Sequence, residues 1–217
     1  MGRPREHDDT TRAALRAAAE RLVTEGGVDA LSVRAVAEAA RTTTRAVYAL
    51  FGSKEGLFVD ALAQGAFDFL ATEIRALRET WSPVADVIAL GLVFRRLVIE
   101  HPARYRIAFQ RVVPNLAAGP ELAAARARAW SQLVAKVQRL ADAGLLGKRS
   151  VEQAAVELNA MLEGLANAEL RGAVFPNLPP GGEERAWRDA IATVIAGFHA
   201  RPPVAPRRPA TRRAAGR

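Results

Sequence analysis

Apolar residues recur three and four positions apart along almost the whole chain, and a chain with that period buries them by forming helices. Leu15, Ala18, Ala19, Leu22 and Val23 fall at i, i+3, i+4, i+7 and i+8, on one stripe of an α-helix. Gly26-Gly27 ends that stripe as a helix stop. Ser32 then caps a short helix through Ala39, with Val33, Val36 and Ala37 or Ala40 turned inward. The polar run Arg41 to Thr44 interrupts it, and Thr43 is placed to cap a third helix over Thr44–Leu50. Gly52-Ser53 breaks the pattern again, and Ser53 caps a long helix from Lys54 to about Thr80.

Five further helices are predicted. They run from Ser82-Pro83 to about Glu100, from His101-Pro102 through Val113, over Glu121–Ala143, from Ser150 to about Arg171 and over Glu183–Ala200. Loops at Pro114–Pro120 and Phe175–Gly182 separate them, and no stretch shows sustained strand alternation or an internal repeat. The expected fold is all-α, with about nine helices, three short and then six longer. Aromatic residues are only 6% of the chain, so Ala, Leu and Val must fill the interior, which suits close-packed helices. A length of 217 residues supplies a real core for one or two domains.

Composition excludes several classes of function. There is no Cys, which removes disulfide scaffolds, zinc ribbons and thiol nucleophiles. The longest apolar run, Val87 to Phe94, is far short of the ~20 residues of a membrane span. The start, MGRPREHDDT, lacks the apolar centre of a signal peptide, so a soluble, cytoplasmic protein is expected. His7, His101 and His199 have no metal-ligand spacing, and no Gly-rich phosphate loop, nucleophile elbow or paired acid and base stands out. No enzyme activity, cofactor or metal is expected.

The formal charge is +8, but six of those charges are arginines of the Pro- and Arg-rich tail, residues 201–217. Residues 1–60 hold nine basic and nine acidic side chains. High pI therefore says little about the body of the chain. The tail is too poor in apolar residues to fold, and it either stays solvated or adds non-specific phosphate contacts.

Three short helices in about 45 residues, the second and third joined by a tight turn, suggest a helix-turn-helix. A recognition helix needs one apolar face for anchorage and another for the DNA groove. Val47 and Phe51 can supply the anchor, leaving Thr44, Arg45, Tyr48 and Ala49 to project elsewhere. Arg45 can bond a guanine edge, and Thr44 a base or a phosphate. Ser32, Thr43 and Ser53 open helix N-termini that suit phosphate, and Lys54 lies in the first turn of one of them.

The string GGVDALSVRAVAEAARTTTRAVYALFGSKEGLFVDAL resembles the DNA-binding domain of the tetracycline-repressor (TetR) family of bacterial transcriptional regulators. Val47, Tyr48, Phe51, Ser53, Lys54, Glu55 and Leu57 carry the likeness, which covers about residues 10–62. It implies a homodimer on double-stranded DNA, most simply a ligand-released repressor on a palindromic operator, or else an activator or partner-binding regulator on the same fold. Arg34, Thr44 and Arg45 would read bases, while Thr43, Tyr48 and Lys54 would hold phosphates. Tyr48 could instead simply pack, and Arg34 could pair with Glu38. The family's usual turn, Gly-Val-Ser, is here Arg41-Thr42-Thr43, so Arg41 must accept a strained left-handed backbone or the turn must differ.

The resemblance further implies three segments. Residues 1–53 would form the arm and DNA-reading domain, 54–200 a helical effector-binding and dimerisation domain, and 201–217 the basic tail. Apolar faces at Ala155, Leu158, Leu162, Leu165 and Ala166, and at Ile191, Val194, Ile195 and Phe198, suit dimerisation through the last two helices or an internal core equally. HPARYRIAFQ and ELNAMLEGLANAELRGAV resemble a C-terminal subfamily named for Trp-x-x-x-His-Gly, whose positions here are Asn159, Glu163 and Gly164. Asn159 and Glu163 would meet a polar or cationic effector, or an Arg of the same subunit or of the dimer mate. Phe67, Phe94, Tyr105, Phe109, Gln110 and Trp130, with Leu70 and Ile74, complete the candidates for the pocket of an unidentified small-molecule effector. Arg95-Arg96 and Arg104-Tyr105-Arg106 are assigned to solvated faces.

Overall fold

Hydroxyl side chains start five of the helices. Ser32, Thr43, Ser53, Ser82 and Ser150 each accept a hydrogen bond from the backbone N–H three residues on, which satisfies one donor that the helix cannot. Gln153 accepts in return from the Ser150 N–H, completing a capping box. The computed structural model describes residues 4–27, 30–110, 119–172 and 177–199, and among them every long element is helical.

The order is α1 (Pro4–Gly26), α2 (Val33–Ala39), α3 (Thr44–Phe51), α4 (Lys54–Phe58), a π-helical turn (Val59–Gln64), α5 (Gly65–Ala76), α6 (Pro83–Glu100), α7 (Pro102–Phe109), α8 (Pro120–Asp142), α9 (Val151–Arg171) and α10 (Gly182–Gly197). Since α4, the π turn and α5 form one rod, nine helical rods lie among the described residues. The expected end of α7 at Val113, the Pro114 loop up to residue 118, the start of the Phe175 loop and the tail 201–217 lie outside them.

The long helix from Lys54 departs from expectation twice. It widens into the π turn at Val59–Gln64, and it ends at Ala76 rather than near Thr80. Thr80 belongs to the next element: its N–H and hydroxyl both donate to Asp86, at 3.0 and 2.8 Å, and so shape the entry to α6. The π turn carries Asp60, which is 8% exposed yet ionisable. Two arginines of α1 neutralise it. Arg12 donates at 2.5 Å, and Arg16 pairs with the other carboxylate oxygen. Arg12 also reaches the Leu50 carbonyl at 2.8 Å and lies 5.0 Å from the centre of the Phe51 ring.

Apolar packing unites the rest. α5 lies against α8, α6 against α8, α9 and α10, and α8 against α9. Trp187, Tyr105 and Phe198 are the largest fully buried side chains among the described residues. Gly91 sits where α6 meets α10, so close that a methyl there would overlap Ile191 Cδ1. No helix among the described residues is long and apolar enough to cross a membrane.

Two arginines lose their shared carboxylate in an Asp60→Asn variant. Breaking a buried ion cluster costs about 3–5 kcal/mol, and the partial exposure of both arginines reduces this to roughly 2–3 kcal/mol. Thermal denaturation should show that loss, whereas Glu184→Gln, which removes an exposed pair with Arg188, should cost less than about 1 kcal/mol.

Candidate nucleic-acid interface and ligand cavity

The turn between α2 and α3 sets the geometry of the head. Thr42 N–H donates to the Ala37 carbonyl at 2.8 Å, and Arg41 N–H to the Glu38 carbonyl at 3.0 Å. These two bonds form a Schellman motif, which requires a left-handed residue at Arg41. Its φ is indeed 54°, and among the described residues it is the non-glycine with positive φ. Of the two outcomes open to this turn, the chain keeps the turn and carries the strain.

α3 is held from behind. Val47 is fully buried, Phe51 is partly buried under Arg12, and the C-terminal carbonyl of Leu50 accepts from Arg12. Thr44, Arg45, Tyr48 and Ala49 are exposed, Tyr48 by 54%. The Tyr48 ring therefore stands in solvent rather than packing. Thr43 Oγ1 accepts from Ala46 N–H at 3.2 Å, so its role as a cap leaves the hydroxyl hydrogen to donate elsewhere. Lys54 is exposed in the first turn of α4, its Nζ 5.7 Å from the centre of the Phe58 ring. Arg34 is exposed on α2 with no ion pair among the described residues, so the alternative pair with Glu38 is not formed.

A cavity of about 220 Å³ lies among α5, α6, α7, α8 and α9. Phe67, Phe94, Phe109, Trp130 and Asn159 line it as expected, joined by Leu70, Ile74, Leu90 and Arg126. Three candidates fall outside. Tyr105 is wholly buried behind the wall, stacked on Phe109 at 5.2 Å. Burial pushes its hydroxyl up to about 12, with the Glu163 carboxylate adding to the effect, so it stays protonated. Gln110 is exposed and donates to Asn167 at 2.7 Å. Glu163 is not on the wall; it accepts from Asn159 Nδ2 at 2.7 Å, so these two polar residues bond each other, not an arginine. A wider, more polar cleft of about 500 Å³ runs between the head and the start of α8, past Arg12, Phe51 and Asp60, and the charge of Asp60 is already matched there.

The arginine runs also need correction. Arg95 is half-buried and grips Glu169, which in turn accepts from Trp187 Nε1 at 2.8 Å. Arg104 joins Glu20 of α1 at 2.6 Å, and His101 Nδ1 meets the same carboxylate at 2.7 Å. Arg96 and Arg106 are the exposed members. A helix of mixed character hides which of two adjacent arginines faces a partner helix.

Residues 15–61 match the family model of bacterial regulatory proteins, tetR family, and residues 87–194 that of a tetracyclin repressor-like, C-terminal domain. The chain belongs to the TetR family. It is a DNA-binding transcriptional regulator by that membership, with a helix-turn-helix domain at its N-terminus and a helical C-terminal domain. Solved structures share the fold over nearly their whole length. A protein with unknown function from Rhodococcus sp. RHA1 is 24% identical with a TM-score of 0.71, the match covering 86% of this chain and 95% of that one. The TetR family transcriptional regulator PfmR from Thermus thermophilus is 22% identical with a TM-score of 0.61, over 84% and 96% of the two chains. The ketosteroid transcriptional regulator KstR2 of Mycobacterium tuberculosis is 21% identical with a TM-score of 0.59, over 86% and 93%. No curated protein matches the sequence.

Sequence reasoning missed Arg12, Asp60 and Arg126. Asp60 alone carried a signal, as a carboxylate between Val59 and Ala61-Leu62-Ala63. Nothing local pointed to its partners, which lie 48 and 44 residues away.

In this TetR regulator, strain at Arg41 predicts an unusual order of stabilities. Left-handed backbone costs a non-glycine residue about 1 kcal/mol, partly offset in Arg41→Gly by the freer unfolded chain. Arg41→Gly should therefore melt above Arg41→Ala by roughly 1–3 °C, because alanine keeps the strain. Equal melting temperatures would show that the turn relaxes at no cost.

Proposed function

We propose that this TetR regulator is a ligand-released repressor that binds a palindromic operator as a homodimer. The supporting observation is a single rod. The helix from Lys54 to Ala76 is separated from the end of α3 by only two residues and carries Phe67, Leu70 and Ile74 into the wall of the cavity. A small molecule that shifts this rod changes the separation of two recognition helices, and affinity for a fixed half-site spacing falls. Arg34, Thr44 and Arg45 read base edges; Thr43, Tyr48 and Lys54 hold phosphates.

Residues 1–53 act as the reading head and 54–200 as the effector and dimerisation body, with 201–217 as an appended basic tail. The dimer forms through the outer sides of α9 and α10. The stripes expected to pair, Ala155, Leu158, Leu162 and Ala166 with Ile191, Ile195 and Phe198, are buried inside the chain as core. The reading is supported instead by Val156, 57% exposed on α9, and by exposed Ala160 one turn further on. The partners are double-stranded DNA, a second copy and one small-molecule effector, in the cytoplasm, with no cofactor.

Operator fragments selected from a genomic library can be titrated by fluorescence anisotropy against scrambled DNA, with the full chain and with a 1–200 truncation. A sequence reader should prefer its fragment by ~10³-fold or more, with or without the tail. Arg45→Ala should cost about 1–3 kcal/mol and relax the choice of base, while Lys54→Ala should weaken all sequences alike and lower the salt slope by ~1. Failure to enrich any fragment, or a preference lost with the tail, would overturn the proposal.

A further inference from the structure

We infer that the cavity takes a medium-chain amphipathic monocarboxylate, with its hydrocarbon among the aromatic rings and its carboxylate at Arg126. This rests on the reading of the cavity as the effector site. Among the described residues, every one on the wall is apolar except Arg126 and Asn159. Asn159 gives one of its two Nδ2 hydrogens to Glu163, and what remains of this amide, one N–H and a carbonyl, carries no charge. Of the described residues, Arg126 is therefore the charged group offered to a ligand.

Its surroundings mark it out. Arg126 is exposed at the mouth, with its guanidinium 5.4 Å from the centre of the Phe67 ring and no ion pair or hydrogen bond among the described residues. The other cations near it on α8 are engaged: Arg128 with Asp68 at 2.7 Å, Lys136 with Glu79 at 3.1 Å, and Arg139 with Asp86. A guanidinium lying over a ring keeps its edge free for a two-pronged bond to a carboxylate.

The same inventory disfavours other ligands. Among the described residues of the wall, a cation would find no negative group, and a polyphosphate would find a single positive one. A sugar would set most of its hydroxyls against apolar side chains, with Arg126, Asn159 and the Trp130 indole as the few polar partners. Volume sets the length. A cavity of about 150 Å³ holds benzene, so about 220 Å³ has room for roughly eight or nine carbon atoms.

Calorimetric titration of the full chain with octanoate, octan-1-ol and octylammonium tests this without DNA. Octanoate should bind at least about fivefold more tightly than octan-1-ol at low salt, with octylammonium weakest, and the preference should shrink in about 0.5 M NaCl because Arg126 lies at the surface. Arg126→Gln, an exposed change that the fold tolerates, should erase the preference and leave octan-1-ol binding unaltered. Equal affinities for acid and alcohol, no binding of octanoate, or a preference that survives Arg126→Gln would each overturn the inference. Octanoate binding by a protein that selects no operator would leave the inference standing and remove only the repressor proposal.

Discussion

Asp60 is the carboxylate on which the arrangement of the head depends. It is nearly buried, and a lone charge there would be costly, so Arg12 and Arg16 of α1 must close on it. Arg12 has a second engagement, with the Leu50 carbonyl and the Phe51 ring of α3. The first helix, the recognition helix and the π turn thus meet around one group. The apolar anchor Val47 fixes how deep α3 sits, and the arginine fixes its end. Depth alone would leave the helix free to roll, and a rolled helix would no longer present Thr44, Arg45 and Tyr48 together.

A second polar contact ties the head to the body. Glu20 receives both His101 and Arg104 at the start of α7, the helix that also carries Tyr105 and Phe109 to the aromatic cluster at the cavity. The head is therefore held at two places on α1, one toward the π turn and one toward α7. Both lead to elements that contribute to the cavity wall or stand directly behind it. Arg104 also runs past Gly65, where a methyl would lie 3.5 Å from its Nε, so α7 and the start of α5 pack closely where the π turn ends. Any movement of α5 must be accommodated within that contact.

What the sequence revealed depended on range. The hydroxyl caps at Ser32, Thr43, Ser53, Ser82 and Ser150 act over three residues, and each was legible as a local pattern. Arg41 was legible for the same reason, as a non-glycine in a turn that needs a positive φ. The buried stripe of α1 could be read from its spacing, down to Leu15 and Ala19 at no exposure. The cavity was readable only in part: large apolar residues mark an interior, but whether Tyr105 lines a void or fills one is decided by the neighbouring helix. Arg95, Arg104 and Arg126 were opaque, because a long cation suits water and a facing carboxylate equally well until the partner is known. The π turn was invisible too. Its extra residue shifts the phase by about 100°, but Val59, Ala61, Leu62 and Ala63 place apolar groups all round that turn, so the pattern shows no break.

That extra residue has a bearing on how the chain can vary in length. A π turn holds one more residue per turn than the α-helix around it. Taking one residue out of Val59–Gln64 would return a regular helix with Leu57 and Phe67 still on their present faces, provided Asp60 is kept. The same deletion anywhere in α5 would rotate every later side chain by about 100° and turn Leu70 and Ile74 away from the cavity. The rod between reading head and ligand site thus has a single place where its length can change by one residue without changing what it points at.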